Sequence, residues 1–260
     1  MFNGFRDIYK SRYLLGSMVK KNIKNQYRNS VLGALWTLLD PLLHMVVLSF
    51  VFSYIFNRGG QIECYPVYLL SGTIVFDLLR KVTSTSLSSI VDNQGLVKRV
   101  KIPYTIFPVS SLLSNVVNMG FSYLALIIVM LILKQKFAWT MLLTIAYLPA
   151  LLLFILGISL FLAAVYVFFR DIKHIYVVVL TLWSYLTPLF YTIETMPAKV
   201  VKVLKLNPMY HYVTFFRNLN INGIVPDIKH WLIVYGCGIL SLIIGSVVFK
   251  LTRKKFILYI

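Results

Sequence analysis

The chain has 260 residues, 59% of them hydrophobic and only 13% charged, with a mean hydropathy of +0.80; this excludes a water-soluble globular domain, where roughly 25% charge is usual. Its 26 Lys and Arg against 8 Asp and Glu leave a net charge of +18. The basic residues gather at the ends of apolar stretches with no DNA- or RNA-reading motif, which points to anionic membrane lipids and excludes a nucleic-acid partner.

Residues 1–30 are predicted to form an amphipathic interface helix. Phe5, Ile8, Leu15, Val19 and Ile23 fall on one side at 100° per residue, and Lys10, Lys20, Lys21, Lys24 and Arg28 lie opposite. Such a helix is expected to lie flat at the cytoplasmic membrane surface. Because the first apolar run begins only after this segment, no cleavable signal is expected and the first span itself should direct insertion.

Six apolar stretches follow, at about 31–56, 64–90, 108–133, 139–169, 174–193 and 231–249. Each is long enough to cross ~30 Å of hydrocarbon as a helix of ~20 residues. In the first, Trp36, Asp40 and His44 share a helix face beside Pro41, with His44 in reach of Asp40. A carboxylate at that depth costs several kcal/mol unless paired or hydrated, so the face must meet protein or water. Both a bond across a helix interface and a place on a transport path satisfy that demand. The second stretch is apolar to Phe76, with Tyr65, Tyr68, Gly72 and Phe76 on one face, and then carries Asp77, Arg80, Lys81 and a Ser/Thr run over 83–89. Its inner half is expected to face protein.

The fourth stretch, about 31 residues or ~46 Å, raises the question of whether Pro149 divides it. Division would send Lys250, Arg253, Lys254 and Lys255 to the outer face, so one kinked span is expected. Along the fifth, Tyr176, Leu180, Trp183, Thr187 and Phe190 repeat at 4,3,4,3. Such a stripe fits helix packing, and it also fits a sugar cargo, whose apolar faces stack on aromatic rings. In the following segment, 194–230, Met209, Tyr212, Val213 and Phe216 repeat at helical spacing after Asn207-Pro208. A helix of about eleven residues cannot cross, so short interfacial or re-entrant helices are expected there.

With both termini inside, the inner side holds 18 of the 26 Lys and Arg: seven before the first span, five from the inner half of the second through the turn after it, two after the fourth and four in the tail. The outer side keeps one, two and five. Positive charge favours the cytoplasm, which selects this topology. The prediction is therefore an all-α polytopic membrane protein: the interface helix, a six-span domain over 31–250, and a cytoplasmic tail over 251–260.

Catalytic equipment is absent from the sequence: no G-x-x-x-x-G-K-[ST] phosphate cradle, no H-E-x-x-H and no G-x-S-x-G. His44, His174, His211 and His230 are scattered, so no metal site is expected. Cys64 and Cys237 form neither a CxxC pair nor a disulfide framework and are expected to pack.

The run 27–36, Tyr-Arg-Asn-Ser-Val-Leu-Gly-Ala-Leu-Trp, followed by Asp40-Pro41-Leu42, resembles the start of ABC-2 type polysaccharide exporter permeases. The stretch 92–108, with Asn93, Lys98, Pro103 and Pro108, is similar to that family's cytoplasmic turn. Phe169-Arg170-Asp171 is similar to the turn after its fourth span, and Asn207-Pro208 with Arg217 to its external segment. Asp40 stands where the family commonly has Asn, and Tyr104 where Arg is usual.

The resemblance implies the ABC-2 exporter fold. It further implies a homodimer carrying two copies of a separate ATPase, with ATP and Mg on that partner and no cofactor in this chain, exporting a lipid-linked polysaccharide such as O antigen or teichoic acid. It casts Asp92, Asn93, Leu96, Lys98, Arg99, Lys101 and Pro103 as the turn that couples to the ATPase, flanked by the basic interface helix. Trp36, Asp40, Tyr65, Tyr68, Phe76, Tyr176, Trp183 and Phe190 are expected on the translocation path, and Asn207, Pro208 and Arg217 at an external gate. An ABC-2 exporter of lipids or drugs, and an ATP-independent flippase or membrane enzyme, are the alternatives.

Overall fold

The computed structural model describes residues 11–26, 32–56, 64–100, 102–193 and 196–259, and among them it is helical with no strand. Within the segment expected to form an interface helix, α1 runs over Arg12–Gln26. Then follow α2 (Trp36–Phe56), α3 (Tyr65–Asp92), the short α4 (Gln94–Arg99) and α5 (Ile106–Ile132). A 3-10 turn at Trp139–Leu143 leads into α6 (Thr144–Phe168), followed by α7 (Ile172–Tyr185). The chain closes with α8 (Ala198–Lys205), α9 (Pro208–Asn220), α10 (Ile228–Thr252) and α11 (Phe256–Tyr259).

Three of these segments, Ile106–Ile132, Trp139–Phe168 and Ile228–Tyr259, are long and apolar enough to cross a membrane, while Trp36–Val51 and Ile172–Tyr185 are shorter apolar helices. The chain is a multi-pass membrane protein. The fourth stretch is one continuous helical unit with Pro149 inside it. Carbonyls on either side of that proline find outside donors, Tyr235 giving its hydroxyl to Ala146 O at 2.6 Å and Tyr212 to Ala150 O at 3.3 Å. Pro149 has no N–H to give Ile145 O, and these bonds tie its flanking turns to neighbouring helices.

The fifth stretch departs from expectation. Its helix stops at Tyr185 after 14 residues, about 21 Å at 1.5 Å per residue. The remainder turns through Thr187 and Pro188, because Pro188 cannot donate to the helix and disfavours helical geometry at the residue before it. The breaking signal was plain in the sequence, and the aromatic period ran through it.

Helices α6 and α10 make the most extensive helix pair, and α3 packs against both α5 and α6. The α6–α10 crossing is backbone on backbone. A Cβ built at Gly157 would fall on the Ser241 backbone, and one at Gly245 on the Gly157 carbonyl, while one at Gly238 would come within 2.7 Å of Ala150 O. In lipid, where no hydrophobic effect draws helices together, such small residues gain close van der Waals contact. Two cores result. The larger joins α3, α5, α6, α9 and α10 around Phe76, Leu79, Tyr147, Tyr212 and Phe216. The smaller gathers Met18, Ile90, Val97, Ile106, Phe107, Val167 and Phe249 at the end of the molecule that holds α1 and α4.

Candidate functional site

The α9 end is a dense polar lock. Asn207 caps α9, its Oδ1 accepting from Met209 N at 3.0 Å, and Pro208 occupies the first helical turn, where its missing N–H costs nothing. The same Oδ1 accepts from Trp183 Nε1 at 2.7 Å, while Nδ2 donates to Leu186 O at 3.0 Å and Thr187 Oγ1 at 2.9 Å. One amide thus satisfies both the start of α9 and the broken end of α7.

Nearly three turns on, Arg217 is 6% exposed. Its guanidinium donates to Ser71 Oγ at 3.3 Å, Pro188 O at 2.7 Å, Tyr68 O at 3.2 Å and Leu189 O at 3.0 Å, and sits 3.5 Å over the Tyr68 ring. Neutral acceptors and one aromatic face surround this cation, and only the planar five-donor fork of Arg reaches them all. Gly72 makes room, since a Cβ there would lie 2.5 Å from Nη2. Tyr65 and Tyr68 donate to Phe190 O and Tyr191 O, both at 2.8 Å. Nearby, burial lowers the His211 pKa, leaving a neutral ring whose Nε2 is 2.8 Å from Lys205 O.

Between the first turns of α2 and the middle of α3 runs an open charged seam. Asp40 lies 3.6 Å from His44 Nε2 and 3.7 Å from Lys81 Nζ, and Asp77 is 3.6 Å from Arg80. The Asp40 and His44 side chains remain 51% and 74% exposed, and Trp36 on the same face is exposed too. Spacing along α2 foretold the Asp40–His44 pair but not the Lys81 partner on the next span.

At the opposite end, α4 projects beyond α3 with Lys98 and Arg99 exposed, Leu96 half-buried and Val97 buried. Asp92 accepts from Ser88 at 2.6 Å, Asn93 donates to Ser89 O at 2.8 Å, and Pro103 is half-buried in the return to α5. Helix α1 does not lie free. Met18 is buried, Leu14 and Leu15 pack into the smaller core, Asn22 donates to Ser114 Oγ at 3.2 Å and Gln26 accepts from Asn118 at 2.9 Å. Lys20, Lys21 and Lys24 are exposed, and Lys21 Nζ donates to Asn93 Oδ1 at 3.4 Å. Between α1, α3 and α5 opens a polar cavity of about 790 Å³.

The sequence-predicted residues therefore fall into three separate places. Asn207, Pro208, Arg217, Trp183, Tyr65 and Tyr68 meet in the α9 lock. Trp36 and Asp40 lie on the seam, and Asp92, Asn93, Leu96, Lys98, Arg99 and Pro103 form the α4 turn. Phe76 is fully buried, and Tyr176 is buried with its hydroxyl donating to Thr83 Oγ1 at 2.7 Å, so both face the protein interior. Lys10, Arg28 and Lys101 lie outside the described residues, and no metal-holding group of His, Cys, Asp and Glu occurs among those described. Sequence reasoning missed the polar face of α5, where Ser110, Ser111, Ser114, Asn115 and Asn118 are all buried. Their spacing at i, i+1, i+4, i+5 and i+8 is a helical stripe that could have been read alongside the Ser/Thr run of α3.

Three curated relatives align over most of the sequence. The chain is 29% identical over 253 residues to an O-antigen export system permease protein of Myxococcus xanthus, covering 96% of each. It is 27% identical to an O-antigen export system permease protein of Klebsiella pneumoniae, covering 94% of this chain and 93% of that one. It is 24% identical over 209 residues to a polysialic acid transport protein of Escherichia coli, covering 80% and 81%. The profile of the ABC-2 type transporter family matches residues 13–220, from α1 through the end of α9, and the chain belongs to that family.

Proposed function

We propose that this chain is the membrane permease of an ABC transporter that exports a lipid-linked polysaccharide across the cytoplasmic membrane of a bacterium, driven by a separate ATPase subunit. The observation that carries this reading is the end-to-end alignment with an O-antigen export permease. The sequence adds that no phosphate cradle is present to drive transport from within.

In this reading the chain crosses the membrane six times with both termini inside, as the distribution of Lys and Arg supports. The crossings are α2, α3, α5, α6, α7 with its turned extension, and α10. Helix α4 is the contact with the ATPase, since it projects on the inner side and pairs a buried Val97 with exposed Lys98 and Arg99. Helices α8 and α9 are external, neither long enough to cross.

Two copies assemble through the open face of α2. Charged side chains left exposed at membrane depth need protein or water opposite them, and a second seam or a hydrated path supplies it. Trp36 and Asp40 line that path on this chain, with Trp183 and Phe190 at its outer end. Phe76 and Tyr176 are left out of it, because they are closed inside the fold.

The test is export in cells. A strain deleted for this gene should accumulate lipid-linked glycan inside, and surface glycan should return only when this chain and its ATPase are both supplied. Undiminished surface glycan in the deletion strain, or restoration with a catalytically dead ATPase, overturns the reading.

A further inference from the structure

Residues 253–259 do not trail from the bundle as a free tail. Helix α10 ends at Thr252, whose hydroxyl donates back to Val248 O at 2.8 Å, and a 3-10 turn over Arg253–Lys255 leaves three cations exposed. The next residue, Phe256, is fully buried, although Ile257, Leu258 and Tyr259 of the same short helix are exposed. A single inward ring in an otherwise exposed segment marks the contact that fixes its path.

That ring touches three elements. Its centroid lies 5.4 Å from Tyr104 on the return from α4 to α5, 5.9 Å from Phe168 at the end of α6 and 5.4 Å from Phe249 on α10. Among the described residues, Tyr104 and Phe168 share no ring contact except through Phe256. The segment also grips the α6–α7 turn, with the Tyr259 ring 4.9 Å from Phe168 and Arg170 Nη2 donating to Tyr259 O at 3.2 Å.

Each end of this contact leads to an element that is otherwise loosely held. Tyr104 follows α4, which packs on α3 and makes no other extensive helix pair among the described residues. The turn 169–171 is the base of α7, which packs only lightly on α3 and α6 and leaves Val177, Val178 and Leu182 exposed. Because α7 is not clamped along its length, its two ends set its position: the Asn207–Trp183 bond at one and the turn held by Tyr259 at the other. The broad α3–α6 packing moves those two spans together, but the turn lies beyond the end of α6. Close-packed rings are nearly incompressible and keep edge-on orientations, so a ring wedged among three others passes displacement on.

We propose that residues 256–259 are a strap that carries displacement of the α4–α5 return to the base of α7, with Phe256 as its positioning residue. The inference rests on the permease reading, in which α4 meets the ATPase, and adds the route by which work done there reaches the broken span.

The permease with its ATPase is purified with Cys64 and Cys237 replaced and a bimane fluorophore on a cysteine at 173, an exposed position at the base of α7. Trapping the ATPase with ATP and vanadate should shift the bimane emission in this parent chain. Phe256→Leu keeps an apolar side chain in the core but removes the ring edges. It should leave membrane abundance, ATPase co-purification and ATP hydrolysis unchanged and abolish the response at 173. Surface glycan in the deletion strain should fall about tenfold, the worth of one or two aromatic contacts. Tyr104→Leu should do the same, while Tyr104→Phe, which keeps the ring, should behave as the parent.

A parent-like response at 173 in Phe256→Leu, or no response in the parent itself, overturns the strap. If Phe256→Leu alone fails to accumulate, Tyr104→Leu decides. Strictly parallel loss of abundance, ATPase binding and export in both Leu variants is what rings that only pack would give, and it too overturns the strap. A parent chain that neither exports glycan nor binds an ATPase counts against the permease reading. A parent that does both, with the response indifferent to Phe256, counts against the strap alone.

Discussion

At the scale of single residues, Arg217 and Asp40 are opposite solutions to charge in a membrane protein. Arg217 is closed in and satisfied by neutral oxygens, so its role is to hold Pro188, Leu189 and Tyr68 together. Arg217→Lys keeps the charge but cannot reach four acceptors. It should destabilise the purified protein by ~3 kcal/mol, the cost of at least one buried, charge-assisted bond with its carbonyl left bare. A thermal-unfolding series in detergent would show this, and a wild-type midpoint would refute it. Asp40 is half open and loosely paired to Lys81 and His44. Asp40→Asn should preserve both fold and export, whereas Asp40→Leu should leave folding intact and reduce export several-fold by drying the seam. Equal export by wild type and the Leu variant would reduce Asp40 to a structural residue.

Among helices, what the sequence disclosed depended on whether an element's partner lies nearby in the chain. The helix over Arg12–Gln26, the Asn207-Pro208 start of α9 and the Asp40–His44 pair are local patterns, and all three appear in the structure. The Asn207–Trp183 bond and the Lys81–Asp40 bridge are visible only once distant segments meet, whereas the polar stripe of α5 is local and lay open to the same reading. The end of α7 shows a local rule overriding a longer pattern: the aromatic period continued, but Pro188 stopped the helix. The α6–α10 crossing gives the sharpest test. Gly245→Leu must push whole backbones apart, because the atoms it meets are the Gly157 main chain. It should abolish stable accumulation in the membrane, while Gly236→Leu, with nothing within 4 Å of its Cβ, should be tolerated. Equal abundance of the two variants on an immunoblot would show that the crossing is not needed.

For the whole molecule, the decisive measurement is sidedness. With Cys64 and Cys237 replaced, a single cysteine at 202 should react with a membrane-impermeant maleimide in intact cells, and one at 98 only after permeabilisation. The reverse pattern would invert the topology and place the polar cavity on the outer side, against the distribution of Lys and Arg.

The Gly157–Gly245 contact also fixes an order of events during synthesis. Helix α6 is complete about 60 residues before α10 begins, and synthesis delivers the chain from the N-terminus. Until α10 arrives, the furrow along α6 exposes bare main chain, with Tyr212 reaching toward an acceptor, Val234 O, that has not yet been made. The early helices must therefore wait in the bilayer as an unfinished sheaf that only the last long helix can bind. A ribosome stalled short of α10 would release a chain marked for quality control by the furrow it leaves open.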